Sequence, residues 1–204
     1  MSDYTDVDIC NISATLLGVP PIAGMDEQSD VAACLSRLYP VKRDSILAAF
    51  NWRIAVKKRQ LNKLADQTPI NEWSYAYAMP ADMIEGPHAV FGDGSDTPTS
   101  DWEVYDGLLY CDYDTVIIDY TARPSESKFP PLLVEFIATV VAMSAAIPLT
   151  ESADRANELR IQAYGPAQLD GNGGLYAQAK RAVSQTQGTK SLFKNGDPLT
   201  GSRY

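Results

Sequence analysis

The residues that could carry out chemistry are few in this chain. His88 is the single histidine, so a histidine metal cluster is excluded and any Ser-His-Asp triad would have to be built on it. No GxSxG motif, which presents the nucleophilic serine of many hydrolases, accompanies it. The sequence therefore predicts a surface histidine and no catalytic residue.

Five aspartates provide the other candidate site. They flank a glycine-containing loop and the hairpin that follows it: Asp93, Asp96, Asp101, Asp112 and Asp114. An EF-hand loop that begins at Asp93 needs a glycine at its sixth position and a glutamate at its twelfth, where this chain has Pro98 and Val104. The pattern favours a solvated acidic loop over an adventitious cation site. A metal-dependent hydrolase that uses these carboxylates stays the enzymatic alternative.

Neither glycine cluster fits a phosphate-binding loop. Gly92 and Gly94, like the run at 171–174, lack the lysine of the GxxxxGK[ST] motif. The 3 cysteines have no CxxC spacing, which argues against a structural zinc site and against a disulfide framework. We expect reduced thiols, a protein made in a reducing cytoplasm, and neither metal nor cofactor.

The net charge of −9 limits the possible partners. An acidic surface repels nucleic acid at long range, so sequence-specific binding of DNA or RNA is not expected. Basic residues are scattered, except at Lys57, Lys58 and Arg59, where consecutive cations are typical of a solvated edge. The N-terminus is acidic and has no positive region, so no secretion signal is predicted.

Helical periodicity dominates the N-terminal part of the chain, 1–51. Gly18 is expected to end a first helix, and Ser29 or Asp30 to begin a second. Pro40 falls inside the second helix and is expected to kink it or to split it after Tyr39.

Strand patterns replace the helical ones at 52–127. Tyr75 and Tyr77 alternate with small residues, and 102–111 has the pattern of a hairpin. Asp106 and Gly107 suit the type I′ turn of such a hairpin, because both positions need positive φ. A further strand is predicted at 116–120.

Helices return after this insertion. Thr150 is expected to begin a helix that runs through Tyr164, and a short last helix is predicted at 175–185 after a glycine-rich interruption. The whole pattern predicts an α+β fold in which 1–51 and 128–187 form one discontinuous helical bundle. An antiparallel β insertion at 52–127 and an extended C-terminal arm at 188–204 complete the predicted domains.

One predicted helix, 132–147, is apolar almost all round. At ~1.5 Å per residue it is shorter than the ~30 Å core of a bilayer, so a buried helix is favoured over a membrane span. Ile137 and Val141 are expected to be core or subunit contacts. Trp52 joins this group, although the tryptophans at or inside the insertion suit a protein interface as well as the core of the small sheet.

The C-terminal arm combines aromatic, apolar and basic side chains on a glycine-rich segment. Such a composition suits docking onto an acidic partner surface with ordering on binding, and a solvated tail is the alternative. The predicted partner-binding residues are Lys190, Leu192, Phe193, Lys194, Arg203 and Tyr204. Phe193 is the expected anchor.

A series of short motifs then points to a known family. In order they are Leu38-Tyr39-Pro-x-x-Arg43-Asp44, Phe50-Asn-Trp52-Arg53, Met79-Pro-Ala-Asp82, Ile118-x-Tyr120-x-x-Arg123, Phe129-Pro-Pro131 and Pro148-Leu-Thr150. Their order and spacing resemble the tail tubular protein A family of short-tailed bacteriophages over roughly residues 6–165. The glycine-rich 165–174 departs from the family pattern, in which a charged helix continues.

This resemblance implies a structural head-to-tail adaptor, also called a connector or gatekeeper, and not an enzyme. It implies a homo-oligomeric ring, usually of twelve copies, that binds the portal protein on one side and the tail nozzle, or a tail tubular protein B-like subunit, on the other. Genomic DNA would pass through without specific binding. The expected location is the neck of the virion, after assembly in the host cytoplasm and with no membrane involved. A different phage tail-completion or interaction subunit, without a ring, is the main alternative.

Overall fold

The structure is a computed structural model that describes residues 3–65, 69 and 72–185. Within these residues the chain forms five helices and two antiparallel sheets, an α+β fold as predicted. The helices are α1 (Asp6–Leu17), α2 (Asp30–Ala49), α3 (Pro131–Thr150), α4 (Ala153–Tyr164) and α5 (Gly174–Gln185). The strands are β1 (Val56–Gln60), β2 (Asn62–Lys63), β3 (Tyr75–Ala78), β4 (Met83–Gly92), β5 (Glu103–Tyr105), β6 (Leu108–Cys111) and β7 (Val116–Ala122).

The end of the first helix and the start of the second lie where the sequence predicts. Thr5 and Asp8 form a reciprocal capping box at the start of α1, and Gly18 ends it with a φ of 71°. Ser29, not Asp30, caps α2 by accepting a hydrogen bond from the N–H of Ala32. Pro40 does not split α2, which continues as one helix of 20 residues.

Helix α3 is longer than predicted and is the centre of the bundle. It runs through Pro148 to Thr150, so the expected end at residue 147 is wrong, and so is Thr150 as the start of the next helix. The hydroxyl of Thr150 donates to the carbonyl of Ala146 at 2.6 Å and keeps the last turn helical. Ser152 caps α4 instead.

The apolar character of α3 is accounted for by its neighbours. By length and composition this helix of 20 residues could cross a membrane, but 61% of its most apolar window is buried inside the protein. Helices α1, α2, α4 and α5 all pack against it. With 20 residues α3 is not too short for a bilayer, so the length expected from the sequence is wrong. Its burial accounts for its composition, since a central core helix needs an apolar surface on most sides.

The strands form two sheets that share an apolar core separate from the helical one. The strand order is β1-β7-β4 in one sheet and β2-β3-β6-β5 in the other. Tyr77 and Leu109 from the second sheet join Val90, Ile118 and Tyr120 from the first in one buried cluster. The hairpin of β5 and β6 has its predicted turn, with φ of 51° at Asp106 and 73° at Gly107.

Candidate interaction surfaces

The residues that could have formed a catalytic or metal site instead bind nearby backbone and side-chain groups. His88 is exposed on β4, where its Nε2 lies 2.8 Å from the hydroxyl of Thr121. Asp93 and Asp112 accept hydrogen bonds from the backbone N–H groups of Thr115 and Ser74. Among the described residues, no group of three or more His, Cys, Asp and Glu side chains could hold a metal ion. The carboxylates of Asp93 and Asp112 thus connect the loops at the ends of strands through hydrogen bonds.

The three consecutive cations of β1 are all engaged across the sheet. Lys57 binds Asp82 at 2.6 Å, and Lys58 binds Asp119 at 2.8 Å while its Nζ lies 4.1 Å from the ring centre of Phe91. Arg59 reaches Asp82 at 4.0 Å. This edge is solvated as predicted, with cation side chains 48–60% exposed, and its ion pairs reach Asp119 on β7 and Asp82, the residue before β4.

Residues from three of the six quoted motifs meet at the junction between the bundle and the sheets. Arg43 on α2 donates to Glu126 at 2.7 Å and to its neighbour Asp44 at 2.9 Å. Arg123, which follows β7, donates to the same Asp44 at 2.6 and 3.2 Å. The hydroxyl of Tyr39 donates to Glu126 at 3.1 Å. Two arginines and two carboxylates therefore join α2 to the segment that leads from β7 into α3.

A second group of motif residues continues this junction into the sheet. Asp82 accepts hydrogen bonds from Lys57 and from the hydroxyl of Tyr120, the latter at 3.0 Å. The backbone N–H of Arg123 donates to the carbonyl of Asp82 at 3.0 Å. Arg123 thus contacts Asp82 through its backbone and Asp44 through its side chain, which links the two groups.

Hydrogen bonds hold two carboxylates of the junction, Asp44 and Asp82, in their charged form. Burial opposes ionisation of Asp44, but hydrogen bonds from Arg123 and Arg43 outweigh it and lower the pKa of this carboxyl. The hydrogen bond from Lys57 lowers the pKa of Asp82. Burial, with the adjacent Glu126 carboxylate, raises the pKa of the Tyr39 phenol, which stays protonated as a donor. These hydrogen bonds fix the geometry of the junction.

Glu126 is the member of this junction that the sequence interpretation missed. It lies 83 residues from Arg43 along the chain, outside every quoted motif. The sequence does place Glu126 between a strand rich in motif residues and a helix that begins with proline. That position alone does not indicate which residue the carboxylate binds.

The predicted core residues are buried within the chain. Trp52, Ile137 and Val141 each have a relative exposure of 0%. Trp52 belongs to the helical core, where its indole N–H donates to the carbonyl of Ile46 at 2.7 Å. Trp73 and Trp102 are half-buried, and their indoles donate to Glu103 and to the carbonyl of Thr99. These contacts assign the tryptophans to intrachain packing.

Two apolar clefts open on the surface of the bundle. One has a volume of about 390 Å³ and is lined by Pro130, Pro131, Leu132, Leu133, Ala179, Ala182 and Val183. The other, of about 310 Å³, lies among α2, α3, α4 and α5 and includes Phe136, Met143, Tyr164 and Tyr176. Ile147, one turn beyond Met143 on α3, is 58% exposed. Exposed apolar surface of this kind is typical of protein contacts.

The predicted partner-binding residues of the arm, Lys190, Leu192, Phe193, Lys194, Arg203 and Tyr204, lie outside the described residues. Helix α5 ends at Gln185, next to the first of the two clefts. The arm therefore stays a prediction.

No family model matches the chain, and no curated protein does.

Proposed function

We propose that this chain is a structural head-to-tail adaptor of a tailed bacteriophage, which forms a ring between the portal and the tail nozzle. In this role it binds proteins on several faces and lets DNA pass. The ring of twelve copies comes from the resemblance to the tail tubular protein A family. The neck of the virion is the corresponding location.

The observation that supports this proposal most strongly is the junction. The quoted motifs are spread over more than half of the chain, yet Tyr39, Arg43, Asp44, Asp82 and Arg123 meet in two connected clusters. These motif residues fix the helical bundle relative to the sheets. A structural adaptor needs such fixed geometry to hold its partners in place. The same residues include no nucleophile, free base or metal cluster that would favour a hydrolase.

The surface of the bundle agrees with a protein that works by binding proteins. Its two apolar clefts expose side chains of α3, α4 and α5, the elements that also form the core. Large apolar side chains are also exposed on α2, α3 and α4: Val41, Ile147 and Ile161 are 61%, 58% and 42% exposed. Subunit or portal contacts would cover them.

The negative charge suits a channel. Net charge of −9 per copy adds up around a ring, and a negative wall lowers adhesion to DNA phosphates. DNA would then slide through without specific contacts.

The arm at 188–204 is proposed to tie the ring to the portal, with Phe193 as an anchor. Its 17 residues span at most about 56–61 Å when extended, which is enough to leave its own subunit. Basic and aromatic side chains suit an acidic surface on the portal.

The test is to mix the purified chain with the portal protein of the same phage and to image the mixture by electron microscopy. A ring of this chain seated on the portal ring is the expected result. Portal rings that stay bare at saturating concentrations of the full-length chain would overturn the adaptor proposal.

The arm is tested in the same assay by deleting residues 188–204. We expect a nearly unchanged melting temperature and loss of portal binding. The matched control is Phe193→Leu, which keeps an apolar anchor and should weaken binding much less than Phe193→Asp. If the truncated chain joins portal rings with full affinity, the arm is a tail and the bundle carries the attachment surface.

A further inference from the structure

The outer faces of α1 and α5 have opposite charge. The acidic face, on α1 and the residues just before it, is a shallow surface lined by Asp3, Tyr4, Asp8, Asn11, Ile12 and Thr15. The basic face, on α5 and the end of α2, is lined by Phe50, Asn172, Ala177, Lys180, Arg181 and Ser184. Among the described residues that line them, the first has two carboxylates and no cation, and the second has two cations and no carboxylate.

Each face combines its charges with apolar contact area. On the basic face, the Nζ of Lys180 lies 5.6 Å from the ring centre of Phe50 and 4.3 Å from that of Tyr176. On the acidic face, Tyr4 and Ile12 are half-buried between the exposed Asp8 and Thr15. Aromatic and aliphatic surface beside charges of one sign is the composition of a protein contact.

The acidic charge extends beyond α1. The side chain of Asn11 bonds both backbone groups of Ile22, at 2.8 and 3.0 Å, and holds the loop before α2 against α1. Glu27 and Asp30 line a further surface at the end of this loop.

Helix α3 separates the two faces. The hydroxyl of Ser13 on α1 donates to the carbonyl of Ala138 at 2.9 Å, whereas Tyr176 on α5 packs on Phe136 with ring centres 5.2 Å apart. Residues two apart on a helix point ~200° apart around its axis, so α1 and α5 pack on nearly opposite sides of α3.

Each face also points away from α3. Ile9, Cys10, Ser13, Ala14 and Leu17 are the buried side of α1, and the acidic face is the opposite side of that helix. Leu175, Ala179 and Val183 are the buried side of α5, and the basic face lies opposite them. The two charged faces therefore look outward in opposite directions.

We propose that the acidic face of one copy of this chain binds the basic face of a second copy. A two-fold symmetric dimer cannot bury two faces that lie on opposite sides of each subunit. The contact is therefore head-to-tail and repeats around a closed ring. The charge complementarity also offsets the repulsion between copies that each carry a net charge of −9. This inference deepens the proposed function, on which it rests for the ring, by naming the two surfaces that meet.

The experiment uses full-length chains with one face reversed. The basic-face variant is Lys180→Glu with Arg181→Glu, and the acidic-face variant is Asp3→Lys with Thr15→Lys. Asp8 is left in place because it completes the capping box of α1. Arg59→Glu, an exposed cation of β1, is the control. Self-association is measured by analytical ultracentrifugation at low salt and again at high salt, where the screening length falls from ~10 Å at 0.1 M to ~3 Å at 1 M.

We expect each face variant alone to associate at least tenfold more weakly than the wild type, and the control to behave as the wild type. An equimolar mixture of the two face variants should regain association, because every contact then pairs an acidic with a basic face. Carbodiimide cross-linking of the wild type should join Lys180 of one copy to Asp3 or Asp8 of another.

Either of two results would overturn this contact: a wild-type chain that stays monomeric at its highest soluble concentration, or face variants that associate as well as the wild type. Failure of the adaptor proposal gives a different result, namely normal self-association and normal rescue in the mixture with no binding to the portal.

Discussion

The guanidinium of Arg123 lies 2.6 Å from the carboxylate of Asp44, although the two residues are 79 positions apart in the chain. Asp44 belongs to α2 of the bundle, and Arg123 directly follows β7 of the three-stranded sheet. Because Asp44 also binds Arg43, and Arg43 binds Glu126, this ion pair is one edge of a connected network. The network restricts how the sheets and the helices sit relative to each other.

Asp44→Asn should lower the free energy of unfolding by about 1–3 kcal/mol, since it removes the charge that accepts from two arginines. Arg123→Lys keeps the charge but loses the two-pronged donor, and should cost less. Denaturant unfolding followed by circular dichroism measures both.

The matched control for this prediction is the ion pair of Lys63 and Asp114, which has a similar length of 2.8 Å but a carboxylate that is 74% exposed. Asp114→Asn should change the free energy of unfolding by less than about 1 kcal/mol. Equal effects of Asp44→Asn and Asp114→Asn would contradict a structural role of the junction.

The junction also makes stability sensitive to acid. The pKa of Asp44 in the folded chain lies below its ordinary value of 3.8, and the same holds for Asp82. A carboxyl with a depressed pKa contributes stability that is fully present above the unfolded pKa and is lost as pH falls through the folded pKa. The wild type should therefore lose stability steeply below about pH 4, whereas Asp44→Asn should show a shallower decline over the same range. Unfolding curves at pH 7, 4 and 3 compare the two, and parallel declines would rule out this contribution of Asp44.

The elements with strong local signals could be predicted from the sequence. Gly18 and Ser29 act as helix boundaries through their own backbone and side-chain chemistry, so neighbouring residues are enough to place them. The turn at Asp106 and Gly107 is local in the same way. These helix boundaries and this turn can be predicted without knowing any tertiary contact.

The parts that could not be predicted depend on distant partners. Pro40 and Pro148 remain inside helices because packing of α2 and α3 in the bundle compensates for the missing hydrogen bond, which local propensity does not register. β4 escaped prediction because its alternation is broken by Gly86 and Pro87, where the register with β7 shifts. The junction could not be predicted because Asp44 and Arg123 come into contact only after the whole insertion has folded.

The hairpin turn gives a prediction about backbone conformation. Gly107 has a φ of 73°, and no atom lies within 4 Å of the place where a Cβ would be, so the cost of a side chain there is conformational. Gly107→Ala should destabilise the protein by about 1–2 kcal/mol. Asp106→Asn is the control, because asparagine tolerates the same positive φ and should leave the melting temperature unchanged. A melting temperature that is equally unchanged for Gly107→Ala would count against the type I′ turn.

The central helix gives the most severe prediction. Ile137 and Val141 are one turn apart on α3, and both are completely buried among helices that pack around it. Replacing either by Asp places an unpaired charge in this core, which costs several kcal/mol against a typical total stability of about 5–15 kcal/mol. We expect both variants to be insoluble or unfolded. Ile137→Val removes a single methylene and should cost only about 0.5–1.5 kcal/mol, which keeps the protein folded and separates loss of packing from burial of charge. Expression in the soluble fraction, followed by thermal unfolding of whatever is soluble, measures all three. A soluble Ile137→Asp variant with the melting curve of the wild type would show that α3 is not the core of the bundle.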